Sequence, residues 1–175
     1  MELRKALEED LDIIKKIYLE AFPEEERKPF EMINDLQKEN KTEILSVIYE
    51  GEVSGLVITL LYKDMVLVDY LAIAPDKRKL GIGSKIVDEI RRRYKNRRII
   101  LEIETIDDTA ENNEQRIRRK KFYIKNGLKS NEMLVRLNGI EMETMVFSEK
   151  IDYEEYYSIY ENTFSERICS LVSKI

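Results

Sequence analysis

The segment Ala74-Pro75-Asp76-Lys77-Arg78-Lys79-Leu80-Gly81-Ile82-Gly83-Ser84-Lys85 carries residue types suited to holding an anion. It runs from the end of an apolar stretch into an amphipathic one. Two glycines at a helix start let the backbone approach a ligand closely, and the free amides of the first turn point outward. Such a turn favours negative charge, and Lys77, Arg78, Lys79 and Lys85 add positive charge around it. The expected ligand is a phosphate or pyrophosphate. A Walker loop requires a Gly-Lys-Ser/Thr ending that is missing, and a dinucleotide fingerprint requires a third glycine where Ile86 stands.

Carboxylates form the second chemical signal. Asp69 interrupts Val66-Leu67-Val68-Asp69-Tyr70-Leu71-Ala72-Ile73, which otherwise reads as a strand buried on both faces. An unpaired buried carboxylate costs several kcal/mol, so Asp69 is expected to be paired, hydrated or functional. In Ile99-Ile100-Leu101-Glu102-Ile103-Glu104 the two glutamates share one strand face, opposite Leu101 and Ile103. With no histidine in the chain, His-based triads and His zinc sites are excluded, so acid–base work falls to carboxylates, Tyr, Lys or water. Cys169 is the sole cysteine, so an intrachain disulfide is excluded; it reads as a small apolar helix residue rather than a nucleophile.

Periodicity supplies the elements that must position these groups. Leu11, Ile14, Ile17 and Tyr18 recur at helical spacing, with Asp10 as the expected N-cap. Pro23 ends that helix, and a charged loop, Glu24 to Lys28, leads past Pro29 into a second helix from Phe30 to Glu39. The period then changes to three β-rich runs, Ile44–Tyr49, Val53–Tyr62 and Met65–Ile73, the first two joined at Glu50-Gly51-Glu52. A helix from Ile82 to Tyr94 links the third run to Ile99–Glu104, the pattern of a right-handed parallel crossover. A polar loop, Asp107 to Asn113, leads to a helix from Glu114 to Lys125, closed by Asn126-Gly127. Strands Leu128–Leu137 and Ile140–Phe147 meet at Asn138-Gly139, and a helix from Tyr153 to Phe164 ends the pattern. With a short strand at Leu3–Ala6, the expected class is mixed α/β (α+β), a mixed central sheet with one parallel strand–helix–strand crossover, flanked by helices.

Arg78-Lys79-Leu80-Gly81-Ile82-Gly83 resembles the Gln/Arg-x-x-Gly-x-Gly/Ala signature of the GNAT superfamily of N-acetyltransferases. Leu71-Ala72-Ile73-Ala74-Pro75 is similar to the strand end and proline that precede that signature. About forty residues on, Phe122-Tyr123-Ile124-Lys125-Asn126-Gly127-Leu128 resembles the superfamily's helix end, Phe/Leu-Tyr-x-x-x-Gly-Phe. The resemblance spans residues 1 to 148, and Ala21–Arg27 with Asn112–Arg116 look like a bacterial subgroup of the superfamily. It implies a GNAT fold and acetyl-CoA as co-substrate, with no metal. It further implies coenzyme A contacts at Ala72, Ile73, Arg78, Lys79, Leu80, Gly81, Ile82, Gly83 and Ser84, and Tyr123 as the acid that protonates the leaving thiolate. The glutamate base some members carry on this strand falls on Leu67. Asp69, two residues on and on the same face, with Glu102 and Glu104, is the expected lining of an acidic pocket that attracts a protonated amine and deprotonates it through water, which makes Asp69 and Glu102 catalytic candidates beside Tyr123. Arg116 and Arg119 stand where the superfamily usually has Asn and a small residue. They share a helix face with Tyr123, which makes Arg119 a candidate phosphate contact or a solvated side chain.

Composition bounds the partners. Lys plus Arg number 30 against 35 Asp plus Glu, a net charge of −5, which argues against nucleic acid as the main partner. The clusters Arg91–Arg93, Lys95, Arg97–Arg98 and Arg118–Lys121 lack interleaved aromatics and read as solvated faces. The apolar run Val53–Tyr62 is too short to span a bilayer, and neither a membrane partner nor a targeting segment is expected, so the expected location is cytoplasmic. Residues 1–150 are expected to form the N-acetyltransferase domain. Residues 151–175 are expected to pack their aromatic stripe on the core or on a second subunit, as in a homodimer. The expected activity is transfer of acetyl to a primary amine of a cationic small molecule or protein, the alternative being a non-catalytic acyl-CoA-binding module.

Overall fold

The computed structural model describes residues 1–175. They divide into two compact units, Met1–Leu61 with Val68–Lys95, and Tyr62–Leu67 with Asn96–Ile175.

The first unit opens with β1 (Glu2–Lys5), followed by α1 (Leu11–Ala21) and α2 (Phe30–Lys38). Strands β2 (Thr42–Tyr49) and β3 (Glu52–Tyr62) form an antiparallel hairpin, and β4 (Met65–Ile73) leads into α3 (Ile82–Arg93). Tyr49 pairs Glu52 across Glu50 (φ 53°) and Gly51 (φ 85°), two left-handed residues that match the twist of a tight hairpin. Ile14, Ile17 and Tyr18 of α1 and Phe30 and Ile33 of α2 form a core with Ile44, Leu56, Ile58 and Tyr70. Each such apolar side chain contributes about 1.5–3 kcal/mol by leaving water.

Asp10 is not the expected N-cap of α1. Its backbone is already helical (φ −82°, ψ −24°), and no side-chain capping bond forms. Its carboxylate, in a residue 4% exposed, accepts instead from Arg4 (2.6 and 3.1 Å), the Leu7 amide (2.8 Å) and Ser46 Oγ (2.7 Å). The acid therefore ties β1 to β2 and the turn before α1. Three donors compensate its desolvation where one amide would not.

The second unit holds β5 (Arg98–Glu104), α4 (Asn113–Lys125), β6 (Lys129–Leu137), β7 (Ile140–Val146) and α5 (Tyr153–Thr163). A short turn of helix, α6 (Glu166–Cys169), and β8 (Val172–Lys174) follow, and neither has a clear sequence signal. Asn138 (φ 47°) and Gly139 (φ 84°) make the expected tight turn between β6 and β7, and β8 pairs antiparallel with β6. Asp152 caps α5 by accepting from the Glu155 amide at 2.9 Å.

The strands hydrogen-bond in the order β1-β2-β3-β4-β5-β7-β6-β8, with β4 and β5 parallel, so the sheet is mixed as expected. No helix is long and apolar enough to cross a membrane.

Candidate functional site

In the first unit, the chain leaves β4 through a 3-10 turn, Pro75–Lys77, and reaches α3 through two left-handed residues, Lys79 (φ 67°) and Gly81 (φ 74°). Gly81 is the N-cap of α3, contributes no side-chain cap, and is followed by a first turn without acidic residues. A β-carbon added at Gly81 would meet nothing within 4 Å. The first-turn amides of α3 therefore carry the helix's partial positive charge with neither a capping side chain nor a first-turn acid to offset it. Of the four cations expected around the loop, Lys77 pairs with Glu52 at 3.3 Å and Arg78 Nε donates to the Ile73 carbonyl at 3.1 Å, while Lys79 and Lys85 are exposed. Gly55 in β3 lies so near the end of β4 that a β-carbon there would sit 2.5 Å from the Ala72 carbonyl oxygen. Only glycine permits that approach, which holds Ala72 and Ile73 at the strand end.

Asp69 lies on β4 with its side chain 5% exposed, paired as its burial demands. The partner is Lys28, whose Nζ donates to both carboxylate oxygens at 2.8 and 2.9 Å. No sequence signal singles out Lys28, because it belongs to a run of charged loop residues and its partner lies 41 residues away. Two tyrosines anchor that loop. Tyr18 Oη accepts from the Lys28 amide and donates to the Lys28 carbonyl, both at 2.9 Å, and Tyr70 Oη donates to the Glu26 carbonyl at 2.9 Å. Burial pushes the Tyr18 hydroxyl well above its usual pKa, so it stays protonated as a donor.

In the second unit, Glu102 and Glu104 share a face of β5 as expected, but their environments differ. Glu102 Oε1 accepts from Tyr156 Oη at 2.6 Å and Tyr160 Oη at 3.0 Å, both buried on α5. Two rings of the aromatic stripe, Tyr156 and Tyr160, thus pack onto β5. Glu104 Oε1 and Oε2 are paired with Arg116 (2.9 Å) and Arg119 (2.8 Å) of α4, and Asn112 Nδ2 donates to Glu104 at 3.1 Å. Arg119, a candidate for a cofactor phosphate, is thus placed at Glu104. The two arginines reach one carboxylate because residues three apart on a helix project from neighbouring points on one face.

Tyr123 is the buried residue of α4, 9% exposed, with its ring edge-on to Phe122 at 5.2 Å. Gly127 (φ 91°) ends the helix, and the Leu128 amide returns to the Tyr123 carbonyl at 3.1 Å. Burial pushes the Tyr123 phenol upward in pKa, opposed by the positive charge of Arg119. A phenol held protonated can donate a proton to a developing thiolate.

The acetyltransferase (GNAT) family profile matches residues 11–123, and the chain belongs to this family. It is 30% identical over 104 residues to YjbC of Bacillus subtilis, a protein that carries an acetyltransferase assignment; the match covers 54% of this chain, which spans about half the length of that relative (50%). Among solved structures, a GNAT-family protein from Bacteroides thetaiotaomicron superposes with a TM-score of 0.72 at 19% identity, over 90% of this chain and 92% of that one. An aminoglycoside 6′-N-acetyltransferase complexed with coenzyme A gives 0.65 at 16% identity, over 87% of this chain and 100% of that one. These structural likenesses establish the shared fold.

Proposed function

We propose that this chain transfers an acetyl group from acetyl-CoA to a primary amine, with Arg78–Ser84 as its phosphate-binding loop. The observation that carries the reading is the left-handed entry into α3, where Gly81 caps the helix with no side chain and no acidic group stands in the first turn. The loop fits a pyrophosphate, because a helix start with no capping side chain and no first-turn acid, flanked by exposed lysines at 79 and 85, offers amide donors and positive charge together. Acetyl-CoA supplies an acetyl group activated as a thioester. In this reading Ala72 and Ile73 bound the cofactor at the strand end, Asp69 binds the acceptor's ammonium group, and Tyr123 holds the proton for the departing sulfur. The bound acceptor loses its proton to water or a carboxylate before attack, and proximity supplies much of the rate. Arg119 serves by fixing Glu104.

Relatedness to an aminoglycoside acetyltransferase fold supports an amine acceptor, and the buried carboxylate at Asp69 supports a cationic one. The second reading is a non-catalytic acyl-CoA-binding module, favoured by the internal partners that Asp69, Glu102 and Glu104 already hold. Calorimetric titration with acetyl-CoA tests the loop. Wild type is expected to bind with micromolar affinity, and Gly81→Val to bind at least about tenfold more weakly, since a β-branched residue at φ 74° costs about 1–3 kcal/mol to hold in place. The space around Gly81 is open to an added β-carbon, so the variant is expected to fold. Unchanged affinity would remove the cofactor assignment.

A further inference from the structure

Asp69 is not waiting for an ammonium group; it already holds one. Lys28 Nζ makes two charge-assisted hydrogen bonds to it and lies 5.0 Å from the centroid of the Tyr70 ring. A carboxylate beside an aromatic face is the combination that recognises alkylammonium groups. The backbone of Lys28 is fixed from both sides. Its amide donates to Tyr18 Oη (2.9 Å) and Tyr70 Oη (3.2 Å), and its carbonyl accepts from Tyr18. Pro29 follows and restricts Lys28 to extended conformations. The side chain is different: four rotatable bonds lead to an ammonium group on a residue 17% exposed at its side chain. A stationary backbone thus carries one movable arm, and the arm ends in the chemical group that the reaction consumes.

We propose that Lys28 is a tethered occupant of the acceptor subsite, and that the subsite is shaped for a primary ammonium on an unbranched aliphatic chain, of which the lysine side chain is itself an example. The inference rests on the reading of Asp69 as the acceptor's anchor. An acceptor binds by displacing the Lys28 ammonium from Asp69, and Lys28 thereby sets the Michaelis constant. A short tether holds its ligand at an effective concentration in the millimolar range, so dilute amines compete poorly and affinity is reserved for acceptors with further contacts. The exchange replaces one ammonium by another and leaves the buried carboxylate paired throughout, which avoids the cost of exposing it alone.

The probe is cadaverine, a linear diamine, with 1-pentanol as its neutral counterpart. Cadaverine is expected to bind Lys28→Ala at least about tenfold more tightly than wild type by calorimetry, and to raise the melting temperature of the variant more than that of wild type. Pentanol is expected to do neither, and Asp69→Asn in the Lys28→Ala background is expected to abolish the gain. The KM for cadaverine is expected to fall by a similar factor in Lys28→Ala. If that variant does not fold, Lys28→Met keeps the apolar stem and carries the same expectation. Equal or weaker cadaverine binding in the variant overturns the proposal. The two failures separate. A wild type that acetylates no amine sinks the functional reading while the binding comparison still decides the subsite. A wild type that acetylates linear amines with a KM indifferent to Lys28 keeps the function and sinks the subsite.

Discussion

The proposed reading assigns the chemistry to Tyr123 and Asp69, and the structure gives each a different test. Tyr123 is buried against Phe122, and replacing it by Phe deletes a hydroxyl while keeping the ring. Tyr123→Phe is therefore expected to keep coenzyme A affinity and lose about 10²-fold or more in kcat, the scale of a lost general acid. A rate unchanged with a good amine acceptor would make Tyr123 a core residue. Asp69→Asn keeps shape but removes the charge facing Lys28. It is expected to raise KM for a cationic acceptor more than it lowers kcat, and to destabilise the fold by about 1–3 kcal/mol by leaving Lys28 with a weaker partner. Steady-state kinetics with a thermal melt reads both. The burial of Asp69 was legible in the sequence, since a carboxylate inside Val66–Ile73 must be paired, hydrated or functional. Its partner was not. Lys28 stands in a stretch whose composition says loop, and only the folded chain brings it to β4.

At the scale of elements, the longer helices could be read from periodicity because each has one buried face, and the central strands from continuous β-rich apolar runs. The turns at Glu50-Gly51 and Asn138-Gly139 were legible for the same reason that they form, a need for positive φ that these residues tolerate. The segments α6 and β8 were not, because four-residue and three-residue elements are too short to show a period. The expected acidic pocket illustrates a second limit. Strand alternation correctly put Glu102 and Glu104 on one face, yet α4 answers Glu104 with two arginines and α5 answers Glu102 with two phenols. Such pairings depend on tertiary packing that no local pattern encodes. They also make α5 part of the second unit's structural frame. Glu102→Ala removes the acceptor shared by Tyr156 and Tyr160 and is expected to cost about 1–3 kcal/mol, a fall of several degrees in melting temperature. A melting temperature equal to that of wild type would show that these hydrogen bonds do not hold α5 in place.

For the whole molecule, paired carboxylates set the acid limit of the fold. Burial raises the pKa of Asp10, but hydrogen bonds from Arg4, the Leu7 amide and Ser46 outweigh it and hold the carboxyl below its usual value. Burial likewise raises Glu43, and Arg93 with Tyr94 reverse the shift; for Glu155 the Arg98 guanidinium is the leading cause of the lowering. A carboxylate lowered on folding contributes stability that is present above its unfolded pKa and is lost as pH falls through the folded one. The melting temperature is therefore expected to be level from about pH 5 to 7 and to fall below about pH 4, where unfolded carboxyls take up protons. Arg4→Met should make the fall shallower, because Asp10 then has less to lose. A melting temperature that stays level down to about pH 3 would contradict this assignment.

Release of free coenzyme A thiol tests most directly that this chain completes the transfer. Purified protein with acetyl-CoA is offered a panel of linear primary amines, bulky cationic amines, and neutral and acidic acceptors. Thiol release is expected to rise well above the hydrolytic background with linear primary amines, to stay at background with acidic acceptors, and to collapse in Tyr123→Phe. Background release across the whole panel, from a protein that binds acetyl-CoA with micromolar affinity, would contradict catalysis and leave an acyl-CoA-binding module in its place.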